Sequence, residues 1–146
     1  MEPEDLFLRQ HAVEIQPDGN LLLFDNGLDV DEAIRFSEPL EKVRTYSRVI
    51  ELELTFDSSG APERAEVVWD YTDRNLYAFA RSEADRLSNG NTLITYSRLE
   101  ELDDSLILEV TPEGDVAWQL RTPPGWSTYR SERIHPRYGY VIGAER

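Results

Sequence analysis

The chain has 146 residues, 40% of them hydrophobic, and 29 acidic against 15 basic residues give it a formal net charge of −14. This length and apolar content suit one packed domain and argue against disorder. The negative charge argues against non-specific binding to nucleic acid or to an anionic membrane, because those partners need clustered positive charge. Without cysteine, disulfides, thiolate metal sites and cysteine nucleophiles are excluded.

Membrane insertion and export are not expected from the chain as written. No run approaches the roughly 18 apolar residues of a membrane-spanning helix. The N-terminus, MEPEDLFLRQ, lacks the basic and then apolar layout of a signal peptide. The sequence does not determine the cellular compartment of the protein. No P-loop, Rossmann glycine fingerprint, HExxH or GxSxG string occurs, so we expect no cofactor.

The first repeat begins after an acidic lead-in over residues 1–10, whose apolar residues 6–8 would suit one edge strand. In HAVEIQPDGNLLLFDNG, residues 11–27, alternating apolar side chains predict a half-buried strand. Proline, glycine and asparagine predict a tight turn, and the apolar run that follows predicts a strand covered on both faces.

An acidic insertion follows at residues 28–45, with a short helix expected near residues 32–36. It is interpreted either as a solvated loop or as a flap over a site, since long loops in compact β domains are often functional. From Ser47, SRVIELELTF predicts a strand with one buried face. A hairpin loop, DSSGAPER, leads into a returning strand over residues 65–71.

The same order returns in a second repeat over residues 83–121, with EADRLSNGNTLITYS, SLILEV and VAWQL as counterparts of the earlier strands. The matched pairs Gly19 and Gly90, Ser47 and Ser105, and Trp69 and Trp118 lie 71, 58 and 49 residues apart. The shrinking spacing places two insertions in the first repeat. A partial third repeat over residues 127–143 consists of a strand at 129–134, a turn and a second strand.

Four-stranded units at this spacing, with tryptophan in the last strand, are typical of β-propeller blades. The predicted fold is therefore all-β: a propeller segment of two antiparallel blades and about half of a third, forming one partial domain. A sandwich or an open barrel is the alternative. Two and a half blades cannot close a ring, so the chain is either a fragment of a longer protein or a homo-oligomer that completes the ring.

Five strings resemble the C-terminal part of the bacterial arylsulfotransferase family across nearly the whole chain: HAVEIQPDGNLLLFDNG, YSRVIELEL followed by AEVVWDY, ADRLSNGNTLITYS, ILEVTPEGDVAWQL and STYRSERI. The ordered FDNG, YSR and YR strings carry the resemblance. It implies a six-bladed propeller, commonly exported to the periplasm, that moves a sulfuryl group from an aryl sulfate to a phenol through a sulfohistidine.

The resemblance implies that His11 and Arg48 hold the sulfuryl oxygens, which cationic and N–H donors stabilise. It further implies that Tyr129 and Arg130 support the pocket. The family's nucleophilic histidine precedes the YR dipeptide, where this chain has Thr128. His135 is a poor substitute, because a strand would carry it roughly 20 Å from that position.

Each of these residues also has a structural interpretation. His11 would be a hydrogen-bonded strand-end residue, and Arg48 would pair with one of the many carboxylates. Trp69 and Trp118 are interpreted as blade packing, whereas Trp126 is a candidate aromatic wall for an aryl substrate. The acidic residues around positions 29–41 and 103–104 lack EF-hand spacing and are interpreted as solvated surface, with no metal site.

The predicted function, if the full site is assembled, is sulfuryl transfer between an aryl sulfate and a phenol, with His11 and Arg48 as catalytic residues and the nucleophile missing or supplied elsewhere. The substrate-binding residues would be Trp126, Thr128, Tyr129 and Arg130. The first alternative is a non-catalytic propeller module for binding or scaffolding, which threonine at position 128 favours. A truncated gene product without independent function is the second alternative.

Overall fold

The structure is a computed structural model, and it describes residues 8–39, 43–99 and 103–134. Eight strands form two four-stranded antiparallel sheets, each in sequence order. The first sheet contains β1 (Gln10–Ile15), β2 (Leu21–Asp25), β3 (Arg48–Phe56) and β4 (Pro62–Thr72). The second contains β5 (Glu83–Arg86), β6 (Thr92–Leu99), β7 (Asp104–Val110) and β8 (Val116–Arg121). The prediction of two four-stranded antiparallel units is confirmed.

Four hairpin turns share one geometry, in which the first residue of five exchanges backbone hydrogen bonds with the fourth and fifth. The turns cover residues 16–20, 57–61, 87–91 and 111–115, with N–O distances of 2.8 to 3.0 Å. The fourth residue is always glycine, at φ between +83° and +95°. A side chain would strain this left-handed backbone, so glycine at this position sets the register of each hairpin.

The two sheets pack against each other through one hydrophobic core. The first sheet contributes Leu22, Phe24 and Val49, and the second contributes Ala84, Ile94, Tyr96, Leu108 and Val110. Phe24 and Tyr96 meet edge to face, with ring centroids 5.1 Å apart. Burying this many aliphatic and aromatic side chains is the main force that joins the sheets.

At the edge of this core, β4 and the second sheet are linked by polar contacts. The Trp69 indole Nε1 donates to the carbonyl of Pro112 at 2.8 Å. Arg86 stacks its guanidinium 4.6 Å from the Trp69 ring and pairs with Glu51 at 2.5 Å. The tryptophan of the first repeat thus packs between the sheets, as predicted.

The first sheet is also buried on its far side. Leu23, Ile50 and Leu52 are buried there with Leu21, which confirms that the apolar run in β2 is covered on both faces. The predicted buried face of β3 is confirmed at Ile50 and Leu52, and Val49 on the opposite face is buried as well, against the second sheet.

Within the acidic insertion, the short helix expected near residues 32–36 is present as α1 (Val30–Phe36). Asp29 caps its N-terminus by accepting from the Glu32 amide at 2.7 Å, and Glu32 in turn accepts from the Tyr77 hydroxyl and from Arg9. The described part of the insertion therefore packs on the body of the protein and is more than a solvated loop. None of the described helices is long and apolar enough to cross a membrane.

The strand predicted at residues 129–134 is wrong. Residue 129 is a bend and residues 130–134 have no regular secondary structure, and this segment contacts the second sheet through its side chains. The Ser131 hydroxyl is 2.5 Å from that of Thr95, and Arg133 pairs with Glu109. A strand pairs through backbone hydrogen bonds with the edge of a neighbouring strand, and a segment that lies on the face of a sheet does not meet such an edge. Residues 135–143, which hold His135 and the rest of the predicted third repeat, lie outside the described residues, as do residues 1–7 of the lead-in.

Candidate functional site

A cleft of about 350 Å³ opens where the starts of the two sheets meet the segment that follows the second sheet. Its walls come from β1, from the segment that enters β5, and from residues 129 and 130. The lining residues are His11, Ala12, Val13, Glu14, Ser82, Glu83, Asp85, Tyr129 and Arg130. Three residues predicted from sequence, His11, Tyr129 and Arg130, therefore share one cleft although 118 residues separate the first two.

Irregular backbone on both main walls shapes this cleft. The pairing of β1 with β2 shifts register between His11 and Glu14, and Ala12, inside this bulge, has φ of +49°. On the opposite wall, Arg81 and Ser82 have φ of +65° and +80°. Bulges re-aim side chains relative to a regular strand, so the sheet edge presents a concave surface here.

The imidazole of His11 is held in one tautomer by two acceptors. Its Nδ1 lies 2.8 Å from the carbonyl oxygen of Arg9 and 2.8 Å from Oδ1 of Asn26. The orientation of the Asn26 amide is set by its Nδ2, which donates to the Ala78 carbonyl at 2.5 Å. Since both neighbours of Nδ1 accept, Nδ1 carries the proton and Nε2 keeps its lone pair. No described residue hydrogen-bonds to Nε2.

Clustered carboxyl groups make the rest of the cleft acidic. Burial, and then the charges of Glu83, Glu14 and Glu132, raise the pKa of Asp85 to about 7. Burial likewise raises the pKa of Glu83, whose Oε2 is buried without a hydrogen-bond partner. Desolvation and like charge both disfavour ionisation, so Asp85 changes its protonation state near neutral pH.

Cationic groups lie at the mouth of the cleft beside Tyr129. Arg130 is 3.8 Å from Glu83, a distance too long for a hydrogen bond. The guanidinium carbons of Arg130 and Arg81 lie 5.6 and 5.5 Å from the centre of the Tyr129 ring. The half-exposed Arg130 side chain is thus a positive charge within reach of an anion in the cleft.

Thr128 does not line the cleft, because its polar groups contact the protein's own chain. Its amide donates to the Ser105 hydroxyl at 2.9 Å, its carbonyl accepts from Ser97, and its hydroxyl donates to the Arg130 carbonyl at 3.0 Å. A nucleophilic hydroxyl donates its proton to a base, whereas the Thr128 hydroxyl donates to a backbone carbonyl. Its role as a substrate-binding residue stays a prediction.

Arg48 lies in a buried charge cluster instead of the cleft wall. Its Nε is 3.0 Å from Oδ2 of Asp25, which is fully buried. Arg44 approaches the other oxygen of Asp25 at 2.5 Å, and burial is the main cause that lowers the pKa of Arg44. The structural interpretation of Arg48, pairing with a carboxylate, matches these contacts, and its catalytic role stays a prediction.

Trp126 also lies away from the cleft lining. Its side chain is 72% exposed, and its backbone closes a turn through an amide bond to the Pro123 carbonyl at 3.0 Å. The aromatic ring that does line the cleft is Tyr129. The proposed aryl wall at Trp126 has no contact in the described residues that supports it.

Sequence reasoning missed Asn26, which contacts His11, and the polar residues that complete the cleft lining: Glu14, Ser82, Glu83 and Asp85. A signal was present for two of them, since Glu14 and Asp85 are 71 residues apart and occupy matching positions in the repeats. Among the described residues, no three histidine, aspartate or glutamate side chains are grouped so as to hold a metal ion.

Comparison of the chain with protein-family models, with curated proteins and with solved structures gave no match.

Proposed function

We propose that the chain is an arylsulfotransferase-like propeller segment in which the cleft is the substrate site. In this proposal His11, to which the resemblance gives the role of holding the sulfuryl oxygens, instead receives the sulfuryl group, because Thr128 occupies the position of the family's nucleophilic histidine. The observation that carries the proposal is the meeting of His11, Tyr129 and Arg130 in one cleft, with Nε2 of His11 unengaged. They are also residues to which the sequence resemblance gives a role in the pocket.

In the proposed reaction, the lone pair of Nε2 attacks the sulfur of an aryl sulfate. The bond between sulfur and the aryl oxygen breaks, and the phenolate leaves as the histidine becomes sulfated. A phenol oxygen then attacks the same sulfur, the nitrogen–sulfur bond breaks, and the phenol proton passes to a base. Arg130 stabilises the charge on the sulfuryl oxygens, and Asp85, with a pKa of about 7, exchanges the proton.

An aryl sulfate and a phenol test this proposal directly. We expect acceptor-dependent release of 4-nitrophenol from 4-nitrophenyl sulfate, and a fall of more than about a thousandfold in rate for His11→Ala, which removes the nucleophile. Glu113→Gln, in an exposed turn far along the chain, is the control and should keep the wild-type rate. Absence of acceptor-dependent release from the unaltered protein would refute the transfer reaction.

The second candidate function is a non-catalytic module that binds a ligand in the same cleft. The commitment of the Thr128 hydroxyl to a backbone carbonyl favours it, as does the excess of carboxyl groups over Arg130 in the lining. Calorimetry with the same aryl sulfate separates the two functions, because binding without release supports the module. Protonation of Asp85 below pH 7 removes a negative charge, so the anion should bind more tightly at pH 6 than at pH 8.

We further propose that the two sheets are successive blades of a propeller. The support is their equivalent turns, their face-to-face core and the starts of both sheets around one cleft. Completion of the ring by copies of this chain or by further chain stays a prediction. A mass in solution equal to that of one chain would rule out completion by self-assembly.

A further inference from the structure

Both sheets use the same kind of hydrogen-bonded clasp to hold the segment that follows them. In the first, Asn26 Nδ2 donates to the Ala78 carbonyl and the Ser47 hydroxyl accepts from the Ala78 amide at 2.9 Å. In the second, Ser97 donates to the Thr128 carbonyl and the Ser105 hydroxyl accepts from the Thr128 amide at 2.9 Å. All four clasping side chains are fully buried, so the clasp is a structural feature of the repeat.

One contact of the first clasp has no counterpart in the second. Asn26 and Ser97 occupy matching positions 71 residues apart, as do His11 and Ser82. In the second repeat, Ser82 accepts from the backbone amide of Ser97 at 3.0 Å. In the first, the Asn26 oxygen accepts from the His11 ring. A serine suffices for the clasp, and asparagine adds an acceptor that faces the imidazole.

We propose that Asn26 is a positioning residue for His11: its amide nitrogen binds the Ala78 carbonyl, which turns its oxygen toward Nδ1 and leaves Nε2 unprotonated in the cleft. This inference rests on the proposed function for its catalytic meaning, but its physical content concerns the tautomer of His11. A buried amide with both ends hydrogen-bonded cannot rotate without leaving a polar group unsatisfied. Partners of this kind set which nitrogen of a histidine reacts.

The variant Asn26→Ser isolates this role, since Ser97 demonstrates that serine can make the clasp. Ser47→Ala is the matched control, because it weakens the clasp but keeps the Asn26–His11 contact. Nitrogen-15 chemical shifts of the His11 ring, recorded above the range where imidazole protonates, report the tautomer without any assay of activity.

We expect the unaltered protein and Ser47→Ala to have the proton on Nδ1. In Asn26→Ser the Arg9 carbonyl still accepts from Nδ1, so a measurable share of the Nε2-protonated tautomer should appear beside the Nδ1-protonated one. In the sulfuryl-transfer assay, Asn26→Ser should lower kcat by about ten- to a hundredfold with little change in KM. The proton on Nε2 in the unaltered protein, or an unchanged tautomer in Asn26→Ser, would overturn the inference. If the tautomer responds as expected but the unaltered protein transfers no sulfuryl group, the proposed function fails and the positioning role of Asn26 stands.

Discussion

Trp69 and Trp118 occupy the same position in the last strands of the two sheets, yet their surroundings differ. Trp69 packs against the core, stacks with Arg86 and donates to the Pro112 carbonyl. Trp118 is 46% exposed, and its β8 neighbours Val116 and Leu120 are exposed to a similar extent. The same residue type thus packs against the core where a second sheet follows it, and is half-exposed where the described residues that follow, 122–134, form no further sheet.

A second pair of matched positions differs in chemistry as well as burial. Asp25 lies 71 residues before Tyr96, and both side chains are fully buried. Tyr96 packs against Phe24 in the core between the sheets, whereas Asp25 joins Arg44 and Arg48. The first repeat has replaced an aromatic contact by a charge cluster, next to the insertion that supplies Arg44.

The largest effect is expected at Asp25. Asp25→Ala would leave Arg44 and Arg48 buried together without their carboxylate, at a cost of about 3 to 5 kcal/mol in the free energy of unfolding. Urea denaturation measures this cost. Arg64→Ala, which breaks an exposed pair with Glu66, is the control and should cost less than about 1 kcal/mol. Equal costs for both variants would mean that the buried cluster contributes no more than a surface pair.

Two glycines with positive φ should respond differently to alanine. A Cβ at Gly27 would lie 2.5 Å from the Arg44 carbonyl oxygen and 2.6 Å from that of Tyr46, whereas Gly19 has open space. Gly27→Ala should cost about 3 kcal/mol, since it adds a clash with backbone to the strain of the left-handed conformation. Gly19→Ala should cost only about 1 kcal/mol. Thermal unfolding of both variants measures these costs. Equal costs would contradict the close approach of backbone at Gly27.

Substitution of the two matched tryptophans tests the opening comparison itself. Trp69→Ala should destabilise the protein by about 3 kcal/mol, because it empties a space between the sheets. Trp118→Ala should cost less than about 1 kcal/mol, as is usual for a half-exposed side chain. A large cost for Trp118→Ala in denaturant unfolding would indicate that a further sheet, from another copy or from more chain, covers β8.

The last expected effect is a pH dependence at Asp85. Folding raises the pKa of this carboxyl from 3.8 to about 7, so the native state binds the proton more tightly than the unfolded state. The resulting stability is full below about pH 4 and is lost as the pH rises through 7. Asp85→Asn removes this loss and should raise the melting temperature more at pH 8 than at pH 4.

Glu113→Gln, in an exposed turn, is the control for this pH dependence, because no comparable change between pH 4 and pH 8 is expected for it. A melting temperature for Asp85→Asn that differs from the unaltered protein by the same amount at both pH values would show that Asp85 ionises normally in the folded chain.

Local sequence patterns predicted most of the fold. Strand alternation, the glycine at the fourth turn position and the spacing between repeats correctly predicted eight strands in two meanders. Prediction failed at residues 129–134, where a strand-like pattern meets a sheet face through Ser131 and Arg133 instead of an edge. It did not anticipate the burial of Val49 on the other face of β3, because the period of a strand does not reveal what covers each side.

The candidate site was predicted in part. His11, Tyr129 and Arg130 were named from short strings, and the fold brings them together. Arg48 and Trp126 lie outside the cleft lining, because pairing with buried Asp25 and a turn at the surface decide their positions. Glu83 and Asp85 have altered pKa values that arise from burial and from charges on distant segments, which no local pattern carries.

By itself, the sequence determined the repeat, the turns and the two sheets, because these depend on glycine conformation, side-chain alternation and neighbours within one hairpin. Only the tertiary structure decided which tryptophan packs between the sheets, which arginine lines the cleft, and how fully the tautomer of His11 is fixed. Besides the nearby Arg9 carbonyl, this tautomer depends on Asn26 and on the Ala78 carbonyl, 52 residues beyond Asn26. Contacts of such sequence separation exist only after the two sheets have packed.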